Sequence, residues 1–259
     1  MRIPITMIHG FDPTFGTWMS MAAEMGFESI SYDDLAAWWA GAGAGLPARP
    51  IMVDFDHPTR SIRYGCFEIL ERYGLRGNLF INTGPIEELH SKPIPPPAER
   101  EVMTWDEIGE LMAAGWRIGA HTVTHPNLSE LAKEDPTGER LRWELEHCDE
   151  TLERYLEVRP KDFAFTGTSW SSLAEAEVRK RYRFGRLWIV GSEYEADGKT
   201  IRYADLVGVP GEDEEDGGPP YAARYVTEDS DPYRLPSMEL QRLLADPDAF
   251  HRYLEMALQ

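Results

Sequence analysis

Two kinds of segment alternate along the chain. Short runs rich in β-branched and aromatic residues predict strands at Ile3–Ile8, Phe27–Ser31, Ile51–Phe55, Asn78–Asn82, Trp116–Ala120, Phe163–Thr166 and Phe184–Val190. Between most of them, helical spacing predicts helices at Thr17–Met25, Tyr32–Trp39, Ile62–Tyr73, Thr104–Ala114, Glu139–Leu156 and Leu173–Tyr182. A last amphipathic helix is predicted over Met238–Leu258. Thr104 with Glu107 forms a capping-box signature, and Gly115 is placed to stop that helix. Strands alternating with helices predict an α/β fold, βα units around a mainly parallel sheet or barrel. Chemistry in such folds gathers on loops at the C-terminal ends of strands. The proline-rich Lys92–Ala98 and the acidic Gly211–Pro220 read as loops within one domain, and no internal repeat is present.

Composition narrows the setting. Of 259 residues, 42% are hydrophobic and 11% aromatic, ample for a packed core, so wholesale disorder is excluded. With 26 Lys and Arg against 45 Asp and Glu, the formal charge is −19. That balance argues against a broad nucleic-acid face and against docking on an anionic membrane. No apolar run approaches the roughly 18 residues of a membrane span, and the first residues carry no secretory-signal pattern. Cys66 and Cys148 lie in helix-like segments without CxxC spacing and are expected to be buried free thiols. The expected location is the cytoplasm.

Two constellations carry chemistry. His121 and His125, four apart after the strand Trp116–Ala120, have the separation with which two imidazoles grip one metal ion. The same spacing also serves capping or core histidines. Asp54 and Asp56 close the strand Ile51–Phe55, and alternation along it projects both to one face. Burying two carboxylates together is costly unless a cation or proton lies between them. A metal-binding carboxylate beside a general base satisfies that demand. So does a capping Asp56 with an arginine-paired Asp54.

Taken together, Asp54-Phe55-Asp56-His57-Pro58 and His121-Thr122-Val123-Thr124-His125 resemble the first and second motifs of the polysaccharide deacetylases of the NodB-homology type, carbohydrate esterase family 4. Ile69–Leu75, Asn78–Gly84 and Phe163–Trp170 resemble further stretches of that family, over about residues 3–190. The resemblance implies a deformed (β/α) barrel holding one divalent ion, usually zinc, with cobalt, nickel or manganese as alternatives. It implies a single domain over residues 1–259, with an N-terminal strand–helix extension at 1–48 packed on the barrel and a variable part at 191–259. Carried over, His121 and His125 are metal ligands.

The first motif departs from the family's T-F-D-D-G, which leaves two registers. In one, Asp56 is the third ligand and Asp54 the base. In the other, Asp56 is the base and His57 completes three histidines. Strand alternation favours the first, because it turns His57 away. The arginine that many members place in the third motif to orient the base is missing, since Ala164 and Thr166 stand there. Arg60 is a candidate replacement cation near the substrate. No late L-x-H motif supplies a general acid, but Ile8-His9-Gly10-Phe11 resembles a branch with an early histidine, so His9 is the candidate acid. Trp170 is the candidate sugar-stacking wall. The implied activity is hydrolysis of carbon–nitrogen bonds, most simply deacetylation of an N-acetylated sugar or polysaccharide. An intracellular ureide, cyclic-imide or N-formyl hydrolase acting on a small amide, and a non-catalytic sugar-binding or scaffold protein, are the rivals.

Overall fold

A computed structural model describes residues 1–41, 45–167, 169–189, 200–201, 222–241 and 244–259. In chain order the strands are β1 (Ile5–Ile8), β2 (Glu28–Ser29), β3 (Pro50–Asp56), β4 (Asn78–Ile81), β5 (Arg117–Ala120), β6 (Asp162–Ala164), β7 (Phe184–Ile189), β8 (Thr200–Ile201), β9 (Ala222–Ala223) and β10 (Leu235–Glu239). The helices are α1 (Phe15–Glu24), α2 (Tyr32–Trp39), α3 (Phe67–Arg72), α4 (Gly84–His90), α5 (Trp105–Ala113), α6 (Leu128–Glu134), α7 (Glu139–Leu156), α8 (Ser172–Arg181) and α9 (Pro247–Ala257). Seven parallel strands close a barrel in the order β1, β3, β4, β5, β6, β7, β10 and back to β1. β2 pairs only with Pro50 and Ile51 at the start of β3, and β8 with β9 forms a separate antiparallel ribbon. This is the deformed (β/α) barrel expected of the resemblance.

Alternation along each strand sorts its side chains. Val53, Phe55, Leu79, Ile81, Phe163 and Leu187 face outward into the larger core beneath the helices. Ile5, Met52, Phe80, Ala164, Phe184 and Leu235 join Tyr32 and Leu35 of α2 in a smaller cluster inside the barrel. Further along the same inward rows come Asp54 and Asp56 on β3 and Arg186 on β7, all buried. The barrel is thus apolar at one end and ionic towards the C-terminal ends of its strands, where α/β barrels place their sites.

The expected capping box forms, with Thr104 and Glu107 each bonded to the other's backbone N–H. Both cysteines are buried and free. Three expectations need correction. Met238–Leu258 is not one helix: Leu235–Glu239 is the fully buried strand that closes the barrel. α9 begins only where Asp246 caps and Pro247 starts it. Ile62–Tyr73 opens with a π-helical turn, Ile62–Cys66, before α3. α4 and α6, seven residues each, escaped the periodicity, which needs more turns to show. Val190, Thr168 and the acidic loop Gly211–Pro220 lie outside the described residues. Among the described residues, no helix is long and apolar enough to cross a membrane.

Candidate active site and metal centre

Asp54 and Asp56 do face the same way, and the cation between them is Arg186. Its Nε lies 3.2 Å from Oδ2 of Asp54, and its Nη2 donates to Oδ1 of Asp56. Nη1 donates to Ser237 Oγ at 2.8 Å, and the guanidinium lies over the Phe80 ring. Asp54 is enclosed on every side, accepting from Tyr32 Oη at 2.6 Å and from Asn78 Nδ2 at 3.0 Å. Its burial pushes the carboxyl up to about 7 despite Arg186. At Asp56 burial works the same way, but the charges of Arg186, His121 and His9 and the Arg186 hydrogen bond together outweigh it and hold that carboxyl well below the usual range. That guanidinium is the largest of the contributions that keep the upper carboxylate ionised.

Above Asp56 the chain leaves β3 and turns. His57 adopts φ +69° while its N–H still donates to Phe80 O at 3.0 Å. That left-handed conformation, costing about 1–2 kcal/mol for a residue with a Cβ, swings the imidazole back over the barrel mouth. Strand alternation alone would have turned it away. Thr122 and His125 also have positive φ, at 68° and 58°, so three of the four such non-glycine residues described belong to these two loops. His57, His121 and His125 meet with ligand atoms all within 4.8 Å of one another.

These three residues fit a metal ion by their hydrogen bonding. His121 Nδ1 pairs with Ala164 O at 2.8 Å, which leaves a buried Nε2 with no hydrogen-bond partner among the described residues. His57 Nδ1 pairs with Asn82 Oδ1 at 2.9 Å, leaving its Nε2 to the cluster. Metal-ligating histidines are commonly oriented through the second ring nitrogen in this way. Burial lowers all three imidazoles, His125 to about 4 with His57 adding to the effect. Neutral rings with aligned lone pairs are what a divalent ion requires.

His9, at the end of β1, completes the rim. Its ring stacks 5.3 Å from that of His57 and meets Trp188 edge-on at 4.7 Å. Its Nδ1 lies 3.6 Å from Glu239 Oε1, and Trp188 Nε1 donates to the same carboxylate at 3.2 Å.

Of the residues singled out in the sequence, His9, Asp56, His57, His121 and His125 converge, with Asp54 beneath them. Arg60 stands outside the histidine group, its guanidinium over the Tyr64 ring. Trp170 is a correction: it is 2% exposed, with its indole N–H donated to Glu175 and Arg234 lying over the ring, so it offers no open face for a sugar. Trp188 is the half-buried tryptophan at the site. Arg186, Glu239 and Asn82 were missed. An arginine inside the apolar run Phe184–Val190 was the available signal, because such a position inside a barrel needs a carboxylate partner.

The family model described as polysaccharide deacetylase matches residues 44–183, more than half of the chain. The chain belongs to the polysaccharide deacetylase family. Membership implies a hydrolase acting on carbon–nitrogen bonds. No curated protein gives a significant match. Among solved structures, this chain is similar to the Streptococcus pyogenes deacetylase PplD in complex with acetate, at 15% identity, with 100% of this chain and 99% of that one covered and a TM-score of 0.67. It is similar to IcaB from Ammonifex degensii at 14% identity, with 100% and 97% covered and a TM-score of 0.64. The deacetylase domain of BpsB from Bordetella bronchiseptica shares 14% identity, with 92% and 95% covered and a TM-score of 0.66. At such identities the likeness shows a common fold.

Proposed function

We propose that this deacetylase-family chain is a metal-dependent amide hydrolase that removes the acetyl group from an N-acetylated sugar or polysaccharide. The observation that carries the reading is the buried, unpartnered Nε2 of His121 among three lowered imidazoles at the barrel mouth. Of the two registers, this geometry supports the one with His57, His121 and His125 as ligands and Asp56 as base. Asp54, its oxygens engaged by Tyr32, Asn78 and Arg186, then acts as a structural counter-charge.

An all-imidazole set suits a borderline ion such as zinc, ahead of harder ions that prefer carboxylates. When bound, such an ion supplies Lewis acidity towards an amide carbonyl and acidifies water. Asp56, held ionised by Arg186, accepts the proton. His9, oriented by Glu239 and Trp188, gives one to the departing amine nitrogen.

Metal-loaded protein is expected to release acetate from chitooligosaccharides. Loss of the His9 proton donor in His9→Gln should lower kcat by about 10²–10⁴-fold, the range of one general acid. Absence of acetate release from every N-acetyl sugar tried would overturn the reading, and an undiminished kcat in His9→Gln would remove His9 from it.

Because burial depresses all three imidazoles, His125 to about 4, protons compete with the ion only below the ordinary 6.5. Zinc affinity, measured by competition with a chromophoric chelator, should therefore survive acidification through 6.5. A loss centred there would contradict the donor set.

A further inference from the structure

The loop that carries His121 and His125 is short and strained. Three residues separate the two imidazoles, and the turn they make needs positive φ at Thr122 (68°) and at His125 (58°). Residues with a Cβ keep that conformation only where their surroundings impose it. One side is imposed from the turn between β4 and α4. There Thr83 N–H donates to Thr122 O at 3.1 Å and Gly84 N–H to Val123 O at 3.0 Å. A Cβ on Gly84 would lie 2.8 Å from the Val123 oxygen, so the close approach needs glycine. Within the loop, His125 N–H donates to Thr122 Oγ1 at 3.1 Å.

The other side is held by a residue outside the histidine group. Glu144 reaches the loop from α7 and is only 6% exposed. Its Oε2 accepts from Val123 N–H at 2.8 Å and from Thr124 N–H at 2.9 Å, while its Oε1 accepts from the Thr124 hydroxyl. Among the described residues it forms no ion pair. Burying a carboxylate that meets no cation is costly, and the packing of α7 does not call for one, since Leu141, Leu145, Cys148 and Leu152 supply its apolar face. Two successive backbone N–H groups and a hydroxyl converging on one carboxylate offset that cost. They also fix the two peptide units midway between the imidazoles. Without the carboxylate the Val123 N–H, on a residue 4% exposed, would be left unpaired.

We propose that Glu144 is a positioning residue, which holds the 121–125 loop in the conformation that aims His121 and His125 at one ion. The inference rests on the metal-dependent reading above. Geometry and charge make opposite demands on two conservative variants. Glutamine keeps the length, so its Oε1 reaches both N–H groups and its Nε2 faces the Thr124 hydroxyl, with the charge gone. Aspartate keeps the charge but falls short of the loop by one methylene, about 1.5 Å.

The test measures zinc affinity by chelator competition, and amide hydrogen exchange of Val123 and Thr124 in the metal-free proteins. Glu144→Ala and Glu144→Asp should bind zinc about 10–100-fold less tightly than the wild type, and both amides should exchange at least about tenfold faster. Glu144→Gln should stay within about threefold of the wild type in both measurements. The Gln and Asp variants carry the decision if Glu144→Ala does not fold. Undiminished zinc affinity in Glu144→Asp would overturn the positioning role. So would an equal loss in Glu144→Gln, which would assign the effect to charge. If the wild type takes up no zinc but exchange quickens in Glu144→Asp and not in Glu144→Gln, the hold on the loop stands and the metal reading falls. If it takes up no zinc and exchange is the same in every protein, both are wrong.

Discussion

His121→Ala should bind a divalent ion more than about 100-fold less tightly than the wild type, beyond the upper end of what outer partners of a metal site contribute. His121 is 1% exposed, its Nδ1 is committed to Ala164 O, and its buried Nε2 has no partner among the described residues. A polar nitrogen desolvated and left unpaired is unfavourable by about 1–3 kcal/mol, which an ion at that position recovers. With alanine there, two imidazoles remain, His57 on the loop after β3 and His125 on the loop after β5. Two neutral ligands rarely hold zinc against water and chelator. Hydrolysis should fall with the ion, because the remaining acid and base have no electrophile to work with. Metal content by mass spectrometry after dialysis, with chelator competition, checks this. A variant that keeps one ion per chain at unchanged affinity would exclude His121 as a ligand.

Arg186→Met is the second large effect, and it concerns the barrel itself. Removing one partner of a buried ionic group typically destabilises by about 3–5 kcal/mol, and here one cation serves two carboxylates. Methionine keeps much of the volume but leaves Asp54 and Asp56 facing each other with no charge between them. The pH dependence has a definite sign. Asp54 is already raised to about 7 in the fold against an ordinary 3.8, so its contribution to stability is fully present below the unfolded value and lost as pH rises through the folded one. Without Arg186 it rises further. The deficit of Arg186→Met should therefore be largest in mildly alkaline solution and shrink as pH falls and Asp54 takes its proton. Urea unfolding of the metal-free proteins on both sides of that range reads it directly. A deficit below about 1 kcal/mol, no larger than an ordinary substitution, or one that does not vary with pH, would mean the triad is not the keystone described here.

Much of this molecule is written in local pattern. The β-branched runs and helical spacings located seven strands and most long helices, because secondary structure depends on residues two to four apart. The His121/His125 spacing marked the loop whose two imidazoles join His57, and alternation along β3 put Asp54 and Asp56 on one face where a cation was needed. What local pattern could not name was that cation. Arg186 stands 130 residues from Asp56, and only barrel closure brings β7 across from β3. Closure likewise depends on Leu235–Glu239, whose Leu-Pro-Ser-Met-Glu has no β-branched or aromatic residue to advertise a strand and which also carries Glu239 to His9. The direction of His57 was decided by tertiary structure as well. Its N–H is anchored to Phe80 of the neighbouring strand while its φ crosses to +69°, reversing the side chain that alternation would have sent outward. Sequence by itself determined which chemistry was available and on which strand ends it lay. Long-range pairing between distant strands decided which carboxylate was neutralised, and one left-handed residue decided which imidazole joined the site.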